Sequence, residues 1–590
     1  MVASKTATSP TTTPNEGSGQ QAASPEVLSG AAITCRSLEM EGVRTVFGYP
    51  GGAVIPLYDA IPSSSLHHVL VRFEQWAGLA ADAYARATGE VGVCIATSGP
   101  GATNLVTALA NAQLDSVPMV AITGQVSQPL IGRDGFQEVD ITGVSLPVTK
   151  HNYLVQRAED IAPTIKEAFY LAKTGRPGPV LVDIPKNVFI SKAPFAYPTK
   201  TGRKSYQPTL KPNLRQVRLA IDEIHQAKKP LIMAGHGIIL SGAGEEFQRF
   251  AEKTGIPVIY TLLGLGSMSE LHPLSLGMMG MHGHRHVNRA LEECDLLLNI
   301  GARFDDRATG RLNGFAPNAR VVHVDIDPAE IGKNVKTHVP VVGDAREALA
   351  MMLEEVDTGD HSDWMNWIDG QRNRVLEAAL EDRPQWPEPY AIIKGIAEAT
   401  DHEAIVTTDV GQHQMWAAQQ YGFKYGDRWM TSGGLGTMGY GLPSAIGAKI
   451  GRPDREVWTV VGDGGFQMSS SELATAVQEK LDINIAIINN GYLGMVRQWQ
   501  DLFHNHNYSE VRISAPDFVK LAEAYGATGI RVTRDEEVMP AIEKARSIKG
   551  PVVIDFVVEP EANVYPMVPP GGSNSEMVHD PQWSPSEEDV

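Results

Sequence analysis

The sequence predicts three doubly wound α/β domains with mainly parallel sheets. Two observations carry this. Short, mostly apolar runs of roughly four to seven residues alternate with longer stretches of helical periodicity along nearly the whole 590-residue chain, the pattern of strands covered by helices on both faces. Two proline-dense breaks, "KAPFAYPTKTGRKSYQPTLKPN" (192–213) and "EDRPQWPEPYAI" (381–392), then divide the chain into three segments of similar size. Prolines at such density end helices and disfavour central strands. Domains are therefore expected at 29–195, 210–350 and 388–565. Residues 1–28, rich in Ser, Thr, Pro and Gln, are expected to be a disordered tail, and 566–590 a carboxy-terminal arm and tail.

Each segment supplies its own strands. In the first, "HHVLVR" precedes a helix opening at Glu74, and "VGVCIATSGPGATNLVTALANAQ" reads as strand, Gly-rich turn and helix. "MVAITGQ" and "PVLVDIP" are further buried strands. The middle segment has "PLIMAGHG", "PVIYTLLG", "DLLLNIGARFDD" and "RVVHVDIDP". The third has "AIVTTDVG", "VWTVVGDGG", "INIAIINNG" and "PVVIDFVV". An amphipathic connector, 363–380, precedes the second break. Ligands of such folds sit beyond the carboxyl ends of the strands.

Composition narrows the function. A net charge of −19 argues against a nucleic-acid or anionic-membrane partner. No run of apolar residues is long enough to span a bilayer. Cys35, Cys94 and Cys294 stand far apart in apolar contexts, as buried thiols of a reducing, cytoplasmic compartment. The leader lacks both the apolar core of a signal peptide and the arginines of a transit peptide; the first arginine is Arg36.

The chemistry is concentrated where strands end. "VVGDGG" places Asp463 just past one predicted strand, and "IINNGY" places Asn490 just past the next. Two hard oxygen ligands with a backbone carbonyl nearby, such as that of Tyr492, suit Mg²⁺ completed by phosphate and water. Gly462, Gly464 and Gly465 let backbone approach a diphosphate at a helix N-terminus. Gly-Asp-Gly alone is common. Paired with Asn-Asn, it resembles the metal and diphosphate motif of thiamine-diphosphate enzymes. That resemblance implies a glutamate bonded to the cofactor's aminopyrimidine and a large apolar side chain keeping the cofactor bent. "FEQWAGLAADAYARATG" offers Glu74, which taken alone is an ordinary first-turn carboxylate favoured by the helix dipole. "GGLGTMGYGLP" offers Met438 between Gly436 and Gly439; taken alone it is a core methionine. "DVGQHQ" puts Gln412 and His413 within reach of the diphosphate.

The motifs "FGYPGGAVIPLYDA", "TSGPGATNLVT", "DSVPMVAITGQV", "GARFDDRATG", "NNGYLGMVRQWQ" and "NVYPMVPPG" resemble the acetohydroxyacid synthase (acetolactate synthase) family from about Leu28 to Val578. The resemblance implies a pyrimidine-binding first domain, a central FAD-binding domain and a diphosphate-binding third domain. It implies decarboxylation of pyruvate and ligation of the two-carbon unit to a second pyruvate or to 2-oxobutyrate. It assigns the flavin to Arg176, Gly235, Gly237, Thr261, Leu262, Met281, His282, Gly301, Arg303, Asp305, Asp325 and Asp344, while "GHG" is no dinucleotide fingerprint. It places Gly52 and Gln137 at the reacting centre, with Phe136 beside them. Arg307 suits a substrate carboxylate in a guanidinium fork, or an ion pair with Asp305 or Asp306. Lys186 suits an anion at the mouth, or simply solvent. Met495, Val496 and Trp499 share a helix face that walls an acceptor pocket. A homodimer or dimer of dimers with shared sites is implied, with a possible regulatory small subunit.

The match breaks around the glutamate. Phe73, Trp76 and Leu79 replace two histidines and a glycine, and Arg133 and Gly135 replace Thr and Ala. Spaced by three, the first trio is either repacked core or a dry wall beside Glu74. Two competing functions remain at this level: a thiamine-dependent decarboxylase or oxidase, and a non-catalytic flavin-binding scaffold. The full set of Glu74, Met438, Asp463 and Asn490 opposes the scaffold, which needs no proton relay.

Overall fold

The computed structural model describes residues 26–201, 205–378 and 386–579. It contains three six-stranded sheets in which every pairing is parallel. Edge to edge, the first runs His67–Leu70, Thr45–Gly48, Gly92–Ala96, Met119–Gln125, Pro179–Pro185, His151–Leu154. The third runs Trp429–Met430, Ile405–Thr408, Val457–Gly462, Asn484–Asn489, Val552–Val557, Thr528–Val532. Taken in chain order within each sheet, the two topologies are the same. The middle sheet differs: Ser275–Met278, Val258–Tyr260, Pro230–Ala234, Leu296–Ile300, Arg320–Asp325, Val339–Val342. Its order is that of dinucleotide-binding folds, reversing between Pro230–Ala234 and Leu296–Ile300.

Pro179–Pro185 and Met119–Gln125 are buried along their whole length, which is why they read as continuous apolar runs. The edge strands His67–Leu70, His151–Leu154 and Thr528–Val532 are partly exposed and more polar. The last two were not among the strands expected, because a strand with one open side keeps polar residues.

The helix Glu74–Thr88 joins the first domain to the third. It carries Ala77, Ala80, Ala81 and Ala83, all buried, and lies against Gly441–Gly451 so closely that a Cβ at Gly447 would collide with the Ala80 carbonyl. It stops at Gly89, whose φ of 72° closes a left-handed C-cap. A buried ionic cluster lies in the same seam. Arg86 bonds Asp82 at 2.7 Å and Asp115 at 2.8 Å, and the Tyr440 hydroxyl donates to Asp82 at 2.8 Å. Charges buried this deeply require such pairing.

Two of the residues expected in the tail are instead strand: Val27 and Leu28 pair antiparallel with Pro194 and Ala193. Residues 1–25 of that tail and 580–590 of the other lie outside the described residues, as do 202–204 and 381–385 of the two breaks. The carboxy-terminal arm returns over the middle domain. The Val568 N–H donates to the Met281 carbonyl, and the Asn574 amide to that of Ala308. Among the described residues, no helix is long and apolar enough to cross a membrane.

Candidate active site

Asp463 opens a helix directly after Val457–Gly462, and Asn490 follows Asn484–Asn489. These strands are paired neighbours, with Gly462 opposite Ile488, so the two side chains emerge at one sheet edge. The Gly491 N–H donates to Asp463 Oδ2 at 3.1 Å, and the Tyr492 N–H to Asn490 Oδ1 at 3.1 Å. Asn490 Nδ2 donates to Gln412 Oε1 at 3.1 Å. Burial pushes the Asp463 carboxyl up to about 7, a shift that a cation at that carboxylate would oppose. Among the described residues no three His, Cys, Asp or Glu side chains converge on a metal site. One carboxylate plus an amide fits Mg²⁺ sharing its shell with phosphate and water better than a full protein cage.

A cavity of about 60 Å³ lies there, lined by Gln412, His413, Met438, Gly462, Asp463, Gly464, Gly465, Asn490, Tyr492, Met495 and Val496 among others. That is room for an ion and an oxygen or two. The His413 ring is slotted between Gly411 and Gly462, where a Cβ would stand 2.8 and 2.9 Å from it. Burial lowers its pKa to about 3, so the ring is neutral, and its Nε2 is buried without a partner. An unsatisfied polar atom on a cavity wall calls for a ligand group. A Cβ at Gly464 would stand 2.8 Å from Leu493. The donors and glycines present thus fit a metal-bound diphosphate.

The glutamate lies elsewhere. Glu74 is the first residue of its helix and is buried; its Oε2 accepts from Asn104 Nδ2 at 3.0 Å, and its Oε1 faces Gly101. The Ala53 N–H donates to Thr97 Oγ1, bringing the Gly51–Gly52 turn to the end of Gly92–Ala96. Gln137, at φ 58°, packs its backbone on Gly99. Gly52, Glu74 and Gln137 therefore gather at the carboxyl end of the first sheet. Phe136 beside them is 89% exposed. Lys186 begins the short helix Lys186–Ile190 after Pro179–Pro185, and lines neither cavity. Nor does any of Gly52, Glu74 or Gln137 line either one.

The second cavity, about 790 Å³, is large enough for a dinucleotide. Arg176, Gly237, Thr261, Leu262, Met281, His282, Gly301, Arg303, Asp305, Asp325 and Asp344 all line it. Gly235 does not; it serves instead to let Gly301 pass close by. Arg176 is held by Glu330 at 2.8 Å, and His282 keeps a buried, unpartnered Nδ1. Gly436, Arg307, Met495 and Trp499 line the same space, and Val410 and Met495 line both cavities. The ion pair open to Arg307 from sequence is weak. Asp305 is occupied as the N-cap of Asp306–Thr309, and Asp306 stands 3.8 Å away on an exposed surface. The guanidinium lies 5.9 Å over the Trp499 ring. Val496 is set apart from its two helix neighbours, on the smaller cavity only and 49% exposed.

The unusual trio beside Glu74 divides. Trp76 and Leu79 are buried with Ala108 and Tyr440, and the Trp76 ring meets Gly439, whereas the Glu74 carboxylate meets Gly101 and Asn104. Phe73 stays 36% exposed against the Trp76 ring. Trp76 and Leu79 are seam packing, not a wall around the carboxylate. Asn104 in "GPGATN" and Asp409 in "TDVGQHQ" were not among the residues expected at the site. For Asp409, three residues before Gln412, a polar residue one turn from a cofactor-site candidate is the available signal; Asn104 meets Glu74 across 30 residues and carries none.

Three matches with known families overlie this architecture. Residues 28–144 match the thiamine pyrophosphate enzyme N-terminal TPP binding domain, 217–352 the central domain and 409–556 the C-terminal TPP binding domain. The chain is thus built as a thiamine pyrophosphate enzyme, and its domains support thiamine diphosphate as the cofactor. It is 52% identical over 569 residues to the acetolactate synthase large subunit of Corynebacterium glutamicum, covering 94% of this chain and 91% of that one. Against the acetolactate synthase of Mycobacterium leprae the identity is 50%, with the same coverage. Against the large subunit from Cyanidium caldarium it is 46%, covering 94% of this chain and 97% of that one. The chain belongs to the acetolactate synthase large-subunit family.

Proposed function

We propose that this chain decarboxylates pyruvate and joins the two-carbon unit to a second pyruvate or to 2-oxobutyrate, giving 2-acetolactate or 2-aceto-2-hydroxybutyrate at the entry to branched-chain amino-acid biosynthesis. One observation carries the reading: Met495 and Val410 form a common wall between the Asp463–Asn490 cavity and the cavity that holds Arg307 and Trp499. A site for the metal and diphosphate thus adjoins a site for an anionic acceptor.

Asp463, Asn490 and the Tyr492 carbonyl would hold Mg²⁺; Gln412, His413 and the glycines 462, 464 and 465 would take the diphosphate. When bound, thiamine diphosphate supplies the acidic carbon on which 2-oxo acids react. Met438 would hold its two rings together, and Glu74 would bond the pyrimidine nitrogen and so promote proton transfer. The Arg307 guanidinium, free of a strong ion pair, would bind the acceptor carboxylate, with Trp499 under its alkyl end. FAD would fill the larger cavity, whose position at the reversal of the middle sheet and whose unpartnered His282 Nδ1 support it.

Glu74 lines neither cavity of its own chain. Phe136, Leu130, Val144 and Leu146 of the first domain are exposed, as are Leu435, Met468 and Val496 of the third, with Val496 on the metal-side cavity. Exposed apolar side chains on both domains favour a homodimer, or a dimer of dimers, in which each chain's Glu74 serves its partner's metal site. A regulatory small subunit is proposed from the relatives' designation as large subunits. The three buried free cysteines fit a reducing cytoplasm.

The test is product analysis by NMR with purified protein, thiamine diphosphate, Mg²⁺ and FAD, supplied with pyruvate alone and with added 2-oxobutyrate. Acetohydroxy acids dependent on thiamine diphosphate and Mg²⁺ are expected. Acetaldehyde, or acetate with peroxide, as the sole product would replace this reading with a decarboxylase or oxidase.

A further inference from the structure

The turn that carries Met438 is held almost entirely by side chains distant in sequence. On one flank, Asn111 Oδ1 accepts from Ser432 Oγ at 2.6 Å and Thr437 Oγ1 at 3.1 Å. The Asp115 carboxylate accepts from the N–H groups of Gly433 at 3.1 Å and Gly434 at 2.7 Å. On the other flank stands one group, Asp409. It follows the strand Ile405–Thr408 and is fully buried. Its Oδ1 accepts from the N–H groups of Val410 at 2.8 Å and Gly439 at 3.0 Å, and its Oδ2 from those of Gly439 at 2.9 Å and Gly441 at 3.1 Å.

Three features make this more than a satisfied core carboxylate. Each of these four hydrogen bonds comes from backbone N–H, and two of the three donors flank Met438 on its C-terminal side. Gly436 and Gly439 have φ of 71° and 86°, a left-handed backbone that glycine permits but does not itself fix. Gly465 packs directly against the carboxylate: a Cβ there would stand 2.4 Å from Oδ1. A single rigid anion therefore touches the turn of Met438 and the turn that follows Asp463.

We infer that Asp409 is a positioning residue that locks the Met438 turn to the Asp463–Gly465 turn, fixing the distance between the apolar wedge and the diphosphate site. The assignment of those two turns rests on the proposed function; the mechanical coupling does not. An isosteric amide keeps one acceptor oxygen and sets an NH₂ group against the N–H of Gly439 or Gly441, so it breaks the lock with little change of volume.

The test is Asp409→Asn in the full-length protein. Without cofactors, hydrogen exchange in peptides covering 432–445 should speed up at least tenfold, with peptides of the middle domain unchanged. With Mg²⁺ present, the dissociation constant for thiamine diphosphate, measured by calorimetry, should rise at least tenfold while FAD binding, followed by its absorbance, stays at the parent value. Unchanged exchange in 432–445, or an increase shared by all three domains together with a lower melting temperature, overturns the inference. Gly465→Ala presses a methyl on the same carboxylate and should reproduce the local exchange effect if Asp409→Asn does not fold; an unaltered segment there also overturns it. Met438→Ala separates the two levels. If it leaves thiamine diphosphate affinity unchanged, the reading of the cofactor site fails, while the exchange result for Asp409 still decides the coupling.

Discussion

Trp76→Gly asks whether the unusual trio beside Glu74 is a wall or a core. The Trp76 side chain is 5% exposed and packed with Leu79, Ala108 and Tyr440 in the seam between the first and third domains. Truncating a buried tryptophan costs about 3–5 kcal/mol. Glycine in the helix adds up to about 1 kcal/mol. A total of about 5 kcal/mol converts through an unfolding entropy of roughly 2.1 cal/mol/K per residue. The melting temperature then falls by about 4 °C if the whole chain unfolds as one unit, or by about 14 °C if a domain of roughly 165 residues unfolds alone. Differential scanning calorimetry of the cofactor-free protein measures this directly. Trp76→Phe, which keeps much of the packing, should lose less than half as much. The pH–rate profile of Trp76→Gly should keep its shape, because the ring faces Gly439 and not the Glu74 carboxylate. A melting temperature within about 1 °C of the parent, combined with a displaced acidic limb or a changed acceptor ratio, would refute the packing account and restore the wall.

Three further outcomes are expected. Glu74→Gln should slow turnover at least about tenfold without lowering the melting temperature; parent rates in the purified variant would remove Glu74 from the mechanism. Trp499→Ala should cut the preference for 2-oxobutyrate over pyruvate by roughly tenfold, the worth of a methylene contact, and an unaltered product ratio in competition would return Trp499 to packing. Asp183 is buried, accepts from Thr123 Oγ1 at 2.7 Å and Gln125 Nε2 at 3.0 Å, and burial pushes its carboxyl up to about 7. The native state therefore holds its proton more tightly than the unfolded chain does. That contribution to stability is complete below about pH 4 and is lost as pH rises through about 7. In Asp183→Asn the fall of melting temperature across this range should be shallower, and parallel curves for the two proteins would show that Asp183 does not titrate there.

Much of the architecture was readable because burial imposes it locally. A strand covered on both faces must be apolar throughout, so "PVLVDIP" and "MVAITGQ" announced themselves, and their alternation with helices implied parallel sheets. Edge strands such as His151–Leu154 escaped because one open side relaxes that demand. Asp463 and Asn490 were readable as a pair because successive strands of one unit deliver both to the same sheet edge. Val27 and Leu28 were misread as tail: too few residues precede the first helix to show a pattern, and their partner strand lies at Lys192–Pro194.

The order of strands within each sheet followed no signal in the residues, and with it came the sameness of the first and third domains and the dinucleotide-type reversal in the middle one. The seam was equally silent. Asp115 holds Gly433 and Gly434, Trp76 covers Gly439, and Glu74 lines neither cavity, across separations of hundreds of residues. Residue type and spacing report what a segment must bury and which groups it carries to a strand end. Which distant segment meets it depends on close packing between whole surfaces, such as Gly447 on Ala80, and on pairing of buried charges, such as Arg86 with Asp82 and Asp115. Those conditions are satisfied only when the domains come together.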